Sequence, residues 1–191
     1  MVLAILILFF YYLPNLVLPV DAVETSYSKK VTLYPIADSY VKKSHPDENF
    51  GKEESLRISN YTDQRYPSLL INDTEIVLIK FDLSEIPLNS TINSVILKFR
   101  EKENTTYFWI GAYNCPDNTW TEEEVNWNNK PTHAEIPTDI VEIWKNKVWL
   151  WNVTEDVKKV LSTGKLSIVL QSETKDSTPH WINFFSIDRH L

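Results

Sequence analysis

Beyond residue 30 the chain runs in short stretches of alternating apolar and polar residues, each broken by a cluster of Asn, Asp, Pro or Ser. Residues 93–101 show it most clearly. Val95, Leu97 and Phe99 fall on one side of a period of two, with Ser94, Lys98 and Arg100 on the other. That is the pattern of a strand with one buried face. In residues 75–82, Val77, Ile79 and Phe81 alternate with Ile76, Leu78 and Lys80, so the strand is expected to be central and partly covered on both faces. Further strands are expected at 31–34, 39–41, 56–59, 106–113, 140–144, 148–153, 166–170 and 182–187. Many short strands between turn clusters specify an all-β sandwich or barrel. Residues 61–73 are polar and irregular and read as a surface excursion.

One segment breaks the rhythm. Val153, Val157, Val160 and Leu161 recur at helical spacing, with Asn152 placed to cap the start, Glu155 at the capping-box position and Gly164 where a left-handed residue ends a helix. Trp149 and Trp151 share the parity of Val153 and are assigned inward. Gly164 is one of only three glycines; Gly51 is expected to close a turn and Gly111 to mark a bulge.

The 191 residues suit one domain, and 43% hydrophobic content suffices for one core. A formal net charge of -7 with no dense Lys/Arg run argues against a nucleic-acid partner and against an anionic membrane surface. Residues 2–20 carry no charge. Residues 1–22 therefore read as a signal peptide cut after Ala22, or alternatively as a membrane anchor, since about 20 apolar residues can span a bilayer. Either way the remainder is expected to be exported, secreted or held at the cell surface. Five Asn-x-Ser/Thr sequons, at Asn60, Asn72, Asn89, Asn104 and Asn152, agree with export as candidate glycosylation sites. Cys115 is the single cysteine, so neither an intrachain disulfide nor a Cys-based zinc site can form.

Chemistry is sought first in residues 120–131, which hold two tryptophans, three carboxylates, three asparagines and a closing proline. Glu122, Glu123 and Glu124 are consecutive and point in different directions, whereas glycoside chemistry needs carboxylates facing each other across a substrate. A structural reading accounts for more. Thr121 and Glu124 have capping-box spacing, and Trp120 and Trp127 bracket the turn and are expected to pack on the sandwich edge. The four histidines lack zinc spacing and no Gly-x-Ser-x-Gly elbow occurs, so no catalytic residue is assigned. Asp38, Asp47, Glu48 and Asn49 around the first loop, with Asp188, are hard oxygen donors of the kind calcium takes, against the plainer reading of solvated loop residues. Aromatic residues make up 13% of the chain. Their rings can stack on the C–H faces of sugars, although most are expected in the core. Tyr61, Tyr66, Trp109, Trp144 and Trp181 are the candidates for exposure and carbohydrate contact.

Several motifs occur together in order: Ala37-Asp38-Ser39-Tyr40-Val41, Asn49-Phe50-Gly51 with Ser55-Leu56-Arg57-Ile58, and Ile79-Lys80-Phe81-Asp82-Leu83-Ser84-Glu85-Ile86-Pro87. Ile92-Asn93-Ser94-Val95-Ile96-Leu97, Trp120-Thr121-Glu122 with Val125-Asn126-Trp127-Asn128-Asn129-Lys130-Pro131, Trp151-Asn152-Val153-Thr154 and Phe184-Phe185-Ser186-Ile187-Asp188 complete the series. In these the chain resembles the DNRLRE-domain proteins, exported β-sandwich modules also described as a carbohydrate-binding module family and related to the disaggregatase-associated modules. The resemblance implies a jelly-roll-like antiparallel sandwich over residues 23–191, non-catalytic, binding a polysaccharide or cell-surface glycan. It also implies a structural calcium ion, with Asp38, Asn49 and Asp188 as its candidate ligands. The family usually continues into one more strand after the last motif. Its lack here is expected to leave a sheet edge unpaired, open to another segment, a partner chain or a dimer. The alternative functions are a structural or adhesive surface module binding protein or cell-envelope partners and, less favoured, a polysaccharide-cleaving enzyme.

Overall fold

The computed structural model describes residues 4–12, 27–62, 72–104, 107–144, 147–174 and 180–186. Among the described residues eleven strands, one short α-helix and one 3-10 turn follow each other: β1 (Ala4–Tyr12), β2 (Tyr27–Leu33), β3 (Pro35–Lys42), β4 (Ser55–Thr62), β5 (Asn72–Asp82), β6 (Thr91–Asn104), β7 (Phe108–Cys115), β8 (Asp139–Ile143), β9 (Val148–Asn152), α1 (Thr154–Val160), the 3-10 turn (Leu161–Thr163), β10 (Lys165–Ser172) and β11 (Trp181–Phe185). All strand pairs are antiparallel. One layer is built from β2, β1, β6 and β9, the other from β3 and β4 on β5, then β10, β7 and β8. β11 pairs with β4 on one side and β6 on the other, joining the layers so that the sheet nearly closes on itself. Among the described residues no helix is long and apolar enough to cross a membrane.

The alternation in the sequence maps directly onto this sandwich. Val95, Leu97 and Phe99 of β6 are fully buried, as are Trp149 and Trp151 of β9. Trp151 meets Phe99 edge-on with ring centroids 6.0 Å apart and donates its indole N–H to the Ile110 carbonyl at 3.0 Å. Large rings dominate the apolar area removed from water here, and the indole donor is satisfied. β5 is covered twice, as its pattern requires. Val77, Ile79 and Phe81 face the main core, while Ile76 and Leu78 belong to a second cluster on the outer face with Tyr113, Cys115 and Val169.

Where the sequence reading and the structure part, the reasons are local. Strands β4 and β5 extend to Thr62 and from Asn72, so the ends of the expected surface excursion are paired ladder. Gly111 is no bulge, for β7 keeps continuous register with both β10 and β8. It is glycine because a Cβ there would lie 2.8 Å from the Tyr113 ring and 2.9 Å from a Glu173 oxygen. Gly164, at φ 72, is left-handed as expected, but it ends the 3-10 turn Leu161–Thr163 that follows α1. The helix start differs. Asn152 is held in β9, so its carboxamide oxygen accepts from the N–H and hydroxyl of Thr154 (3.1 and 2.6 Å), and Glu155 pairs with Lys158 at 2.8 Å instead of reaching back.

The segment read as a leader is placed as β1, between β2 and the first half of β6. Leu6 stands opposite both Leu33 and Leu97 and is fully buried.

Candidate functional site

Residues 116–131 cross the outer face of the second layer and supply the cover for its apolar cluster. Trp120 and Val125 are buried there with Trp127 packed beside them, so the stretch lies on the sheet's face, not at its edge as the sequence suggested. Ile76 and Leu78 of β5, Tyr113 and Cys115 of β7 and Val169 of β10 are outward and apolar, and burying them needs a lid. Trp120 donates its indole N–H to the Ser167 hydroxyl at 3.1 Å. The ammonium of Lys80 lies 4.3 Å from the centre of the Trp120 ring and donates to the Trp120 carbonyl. Burial holds the Lys80 amine below its usual pKa.

The three glutamates of this lid have separate duties. Glu122 accepts the backbone N–H of Asp38 at 2.7 Å, and Glu124 accepts the Thr121 hydroxyl at 3.1 Å. The turn forms, but Thr121 contributes its carbonyl, to the N–H of Val125 at 3.0 Å, where a capping hydroxyl was expected. Glu123 is exposed.

Asp38 and Asn49, two of the residues assigned to calcium, are both brought to Glu122. Asn49 donates its carboxamide to the carbonyls of Glu122 and Val125 (2.7 and 2.8 Å) while its oxygen accepts from Gly51 at 3.2 Å. Buried Asp38 accepts the Ser186 hydroxyl at 2.7 Å. These polar atoms are engaged within the protein. Among the described residues no three of His, Cys, Asp and Glu are grouped to hold a metal ion. Asp188 lies outside the described residues.

The aromatic candidates separate clearly. Trp109 on β7 and Trp144 just after β8 are 40% and 53% exposed and come together through Tyr107, itself 44% exposed. Tyr107 makes edge-on contacts with both, centroid to centroid 6.3 Å to Trp109 and 5.6 Å to Trp144. Strand pairing sets Glu142 opposite Trp109 and exposed Ile140 opposite Gly111, so Trp109, Glu142 and Ile140 project from one face. The Glu142 carboxylate near the Tyr107 hydroxyl, with some burial, holds the phenol above its usual pKa. Backbone bonds from Trp109 to the Thr174 hydroxyl (3.0 Å) and from Glu173 to the Trp109 carbonyl (2.8 Å) fix the strand beneath the indole.

Trp181 belongs elsewhere, half-buried beneath the Arg57 guanidinium at 5.2 Å. Tyr66 lies outside the described residues, as does the side chain of Tyr61. Tyr107 was absent from the sequence candidates, although a signal existed. It shares strand parity with Trp109, the two flanking inward Phe108.

Of the sequons, Asn89 and Asn152 are exposed. The amide nitrogens of Asn60 and Asn104 donate to the Thr174 carbonyl (2.9 Å) and to Glu101 (3.4 Å), and the side chain of Asn72 lies outside the described residues.

The described residues thus form an antiparallel sandwich with an exposed aromatic cluster beside a carboxylate. The chain belongs to carbohydrate-binding module family 96, whose family model matches residues 29–189. No curated protein matches the chain.

Proposed function

We propose that this protein is a secreted or surface-held module that binds polysaccharide through Trp109, Trp144, Tyr107 and Glu142 and carries out no bond chemistry on it. One observation carries the reading. Three solvent-exposed rings gather around a carboxylate on one strand-built face, in a chain of a carbohydrate-binding family. Indole and phenol faces supply apolar area for pyranose C–H faces, while Glu142 accepts from sugar hydroxyls. The DNRLRE-type resemblance and the apolar leader support export, and exposed Asn89 and Asn152 are the sequons proposed to carry glycan. Retardation of the full chain in gels containing soluble polysaccharides tests the function. Trp109→Ala and Trp144→Ala should each abolish most of the retardation without changing the thermal midpoint. A chain retarded by no polysaccharide, or variants retarded like the parent, would overturn the reading.

A second reading has its own observation. Val148 and Leu150 stand outward on β9, 40% and 51% exposed. Aliphatic side chains offer sugars little and proteins more, which favours a protein or cell-envelope partner on that layer.

A further inference from the structure

We infer that the ligand is an individual, hydrated glycan chain and not the flat face of a crystalline polysaccharide, an inference that rests on the carbohydrate reading above. The ring angles carry it. Tyr107 lies at 76° to Trp109 and at 80° to Trp144, so no plane contains all three rings. A crystalline face presents its pyranose C–H surfaces in one plane and is gripped by rings whose faces are coplanar. Whatever the angle between the two indoles, a rigid flat lattice cannot lie face-on against Tyr107 and against an indole at once, so it seats on only part of the cluster.

A single chain has no such difficulty. It can turn successive sugars, so that one stacks on an indole while its neighbour meets the Tyr107 edge. The rings are in direct contact, 5.6 and 6.3 Å between centroids, so successive sugars of one chain can reach them in turn. Glu142, paired opposite Trp109, adds hydrogen-bond chemistry beside them, because its carboxylate lone pairs accept sugar O–H donors. In a crystalline polysaccharide those donors are tied to neighbouring chains, whereas a solvated chain brings them free.

The test uses the full chain with two sets of probes. Hydroxyethyl cellulose, xylan, galactomannan, laminarin, pectin and glycol chitin, all soluble, are run in affinity gels; microcrystalline cellulose and crystalline chitin are used in pull-downs. Retardation by at least one soluble polymer, with no depletion by either solid, is the expected result. Tyr107→Ala should weaken that binding by tenfold or more. On a flat platform the same change would remove an obstruction and leave binding to the solids equal or stronger. Depletion by a crystalline solid without retardation by any soluble polymer would overturn the single-chain inference and leave carbohydrate binding standing. Binding to neither set would overturn both.

Discussion

Gly51 and Glu122 pack backbone against backbone, so closely that a Cβ on Gly51 would lie 2.0 Å from the Glu122 carbonyl oxygen. Neither atom can yield as a flexible side chain would. Gly51→Ala must displace the loop that buries Trp120 and Val125, and overpacking of this kind costs about 1–3 kcal/mol. Asn49→Ala removes both bonds from the carboxamide to that loop, at about 1 kcal/mol each. Urea midpoints and Trp fluorescence of both variants check this. Unchanged midpoints would show the lid to be dispensable.

Alkali should destabilise the fold through two phenols. Tyr40 is pushed up to about 12 by burial and then by Glu75, and Tyr113 to about 12 by burial and then by its bond to Glu173. The unfolded chain releases these protons near 10.0. Above that pH it therefore binds fewer protons than the folded chain, and stability falls as pH rises toward 12. Below 10 their contribution is fully present. Urea midpoints between pH 9 and 11.5 should decline less steeply in a Tyr40→Phe, Tyr113→Phe double variant than in the parent. Parallel declines would refute the assignment.

Cys115 should be inert while the protein is folded. It is 1% exposed and burial raises its thiol to about 11, so little thiolate exists at neutral pH and reagents cannot reach it. A colorimetric disulfide reagent should label it only at the rate of unfolding, and at once in denaturant. Fast labelling of the native chain would mean the outer cluster opens readily.

The leader role expected of residues 1–22 cannot coexist in one mature chain with the place of β1 in the sheet. A leader cut after Ala22 takes β1 with it, and β1 is the partner through which β2 joins the sheet. A chain starting at residue 23 should melt below the full chain and bind more of a hydrophobic dye. In the full chain Leu6→Ala should cost about 2–5 kcal/mol. Identical melting of the two lengths would show that β1 contributes nothing to the core. The intact mass of the protein isolated from its native source shows which form is made.

Much of the architecture is legible in short-range pattern. The inward set Val95, Leu97 and Phe99, the doubly covered β5 and the left-handed Gly164 all follow from side-chain alternation or from the torsions open to glycine, which neighbouring residues determine. The candidate site is legible only in part. Trp109 and Trp144 were identified by type and Tyr107 shares the local parity of Trp109, but Glu142 meets Trp109 through a strand pairing that no local pattern encodes. The lid shows the same division. Its turn at Thr121 is local, while its role depends on contacts from Glu122 to Asp38, 84 positions away, and from Asn49 to Glu122, 73 positions away. Strand period and turn chemistry are properties of consecutive residues, so the sequence by itself determined a β-sandwich with one helix and buried tryptophans on β9. Which exposed rings meet, and which carboxylates are drawn inward, depends on sheet register and on the apolar outer face that had to be covered, and only the tertiary structure decided that.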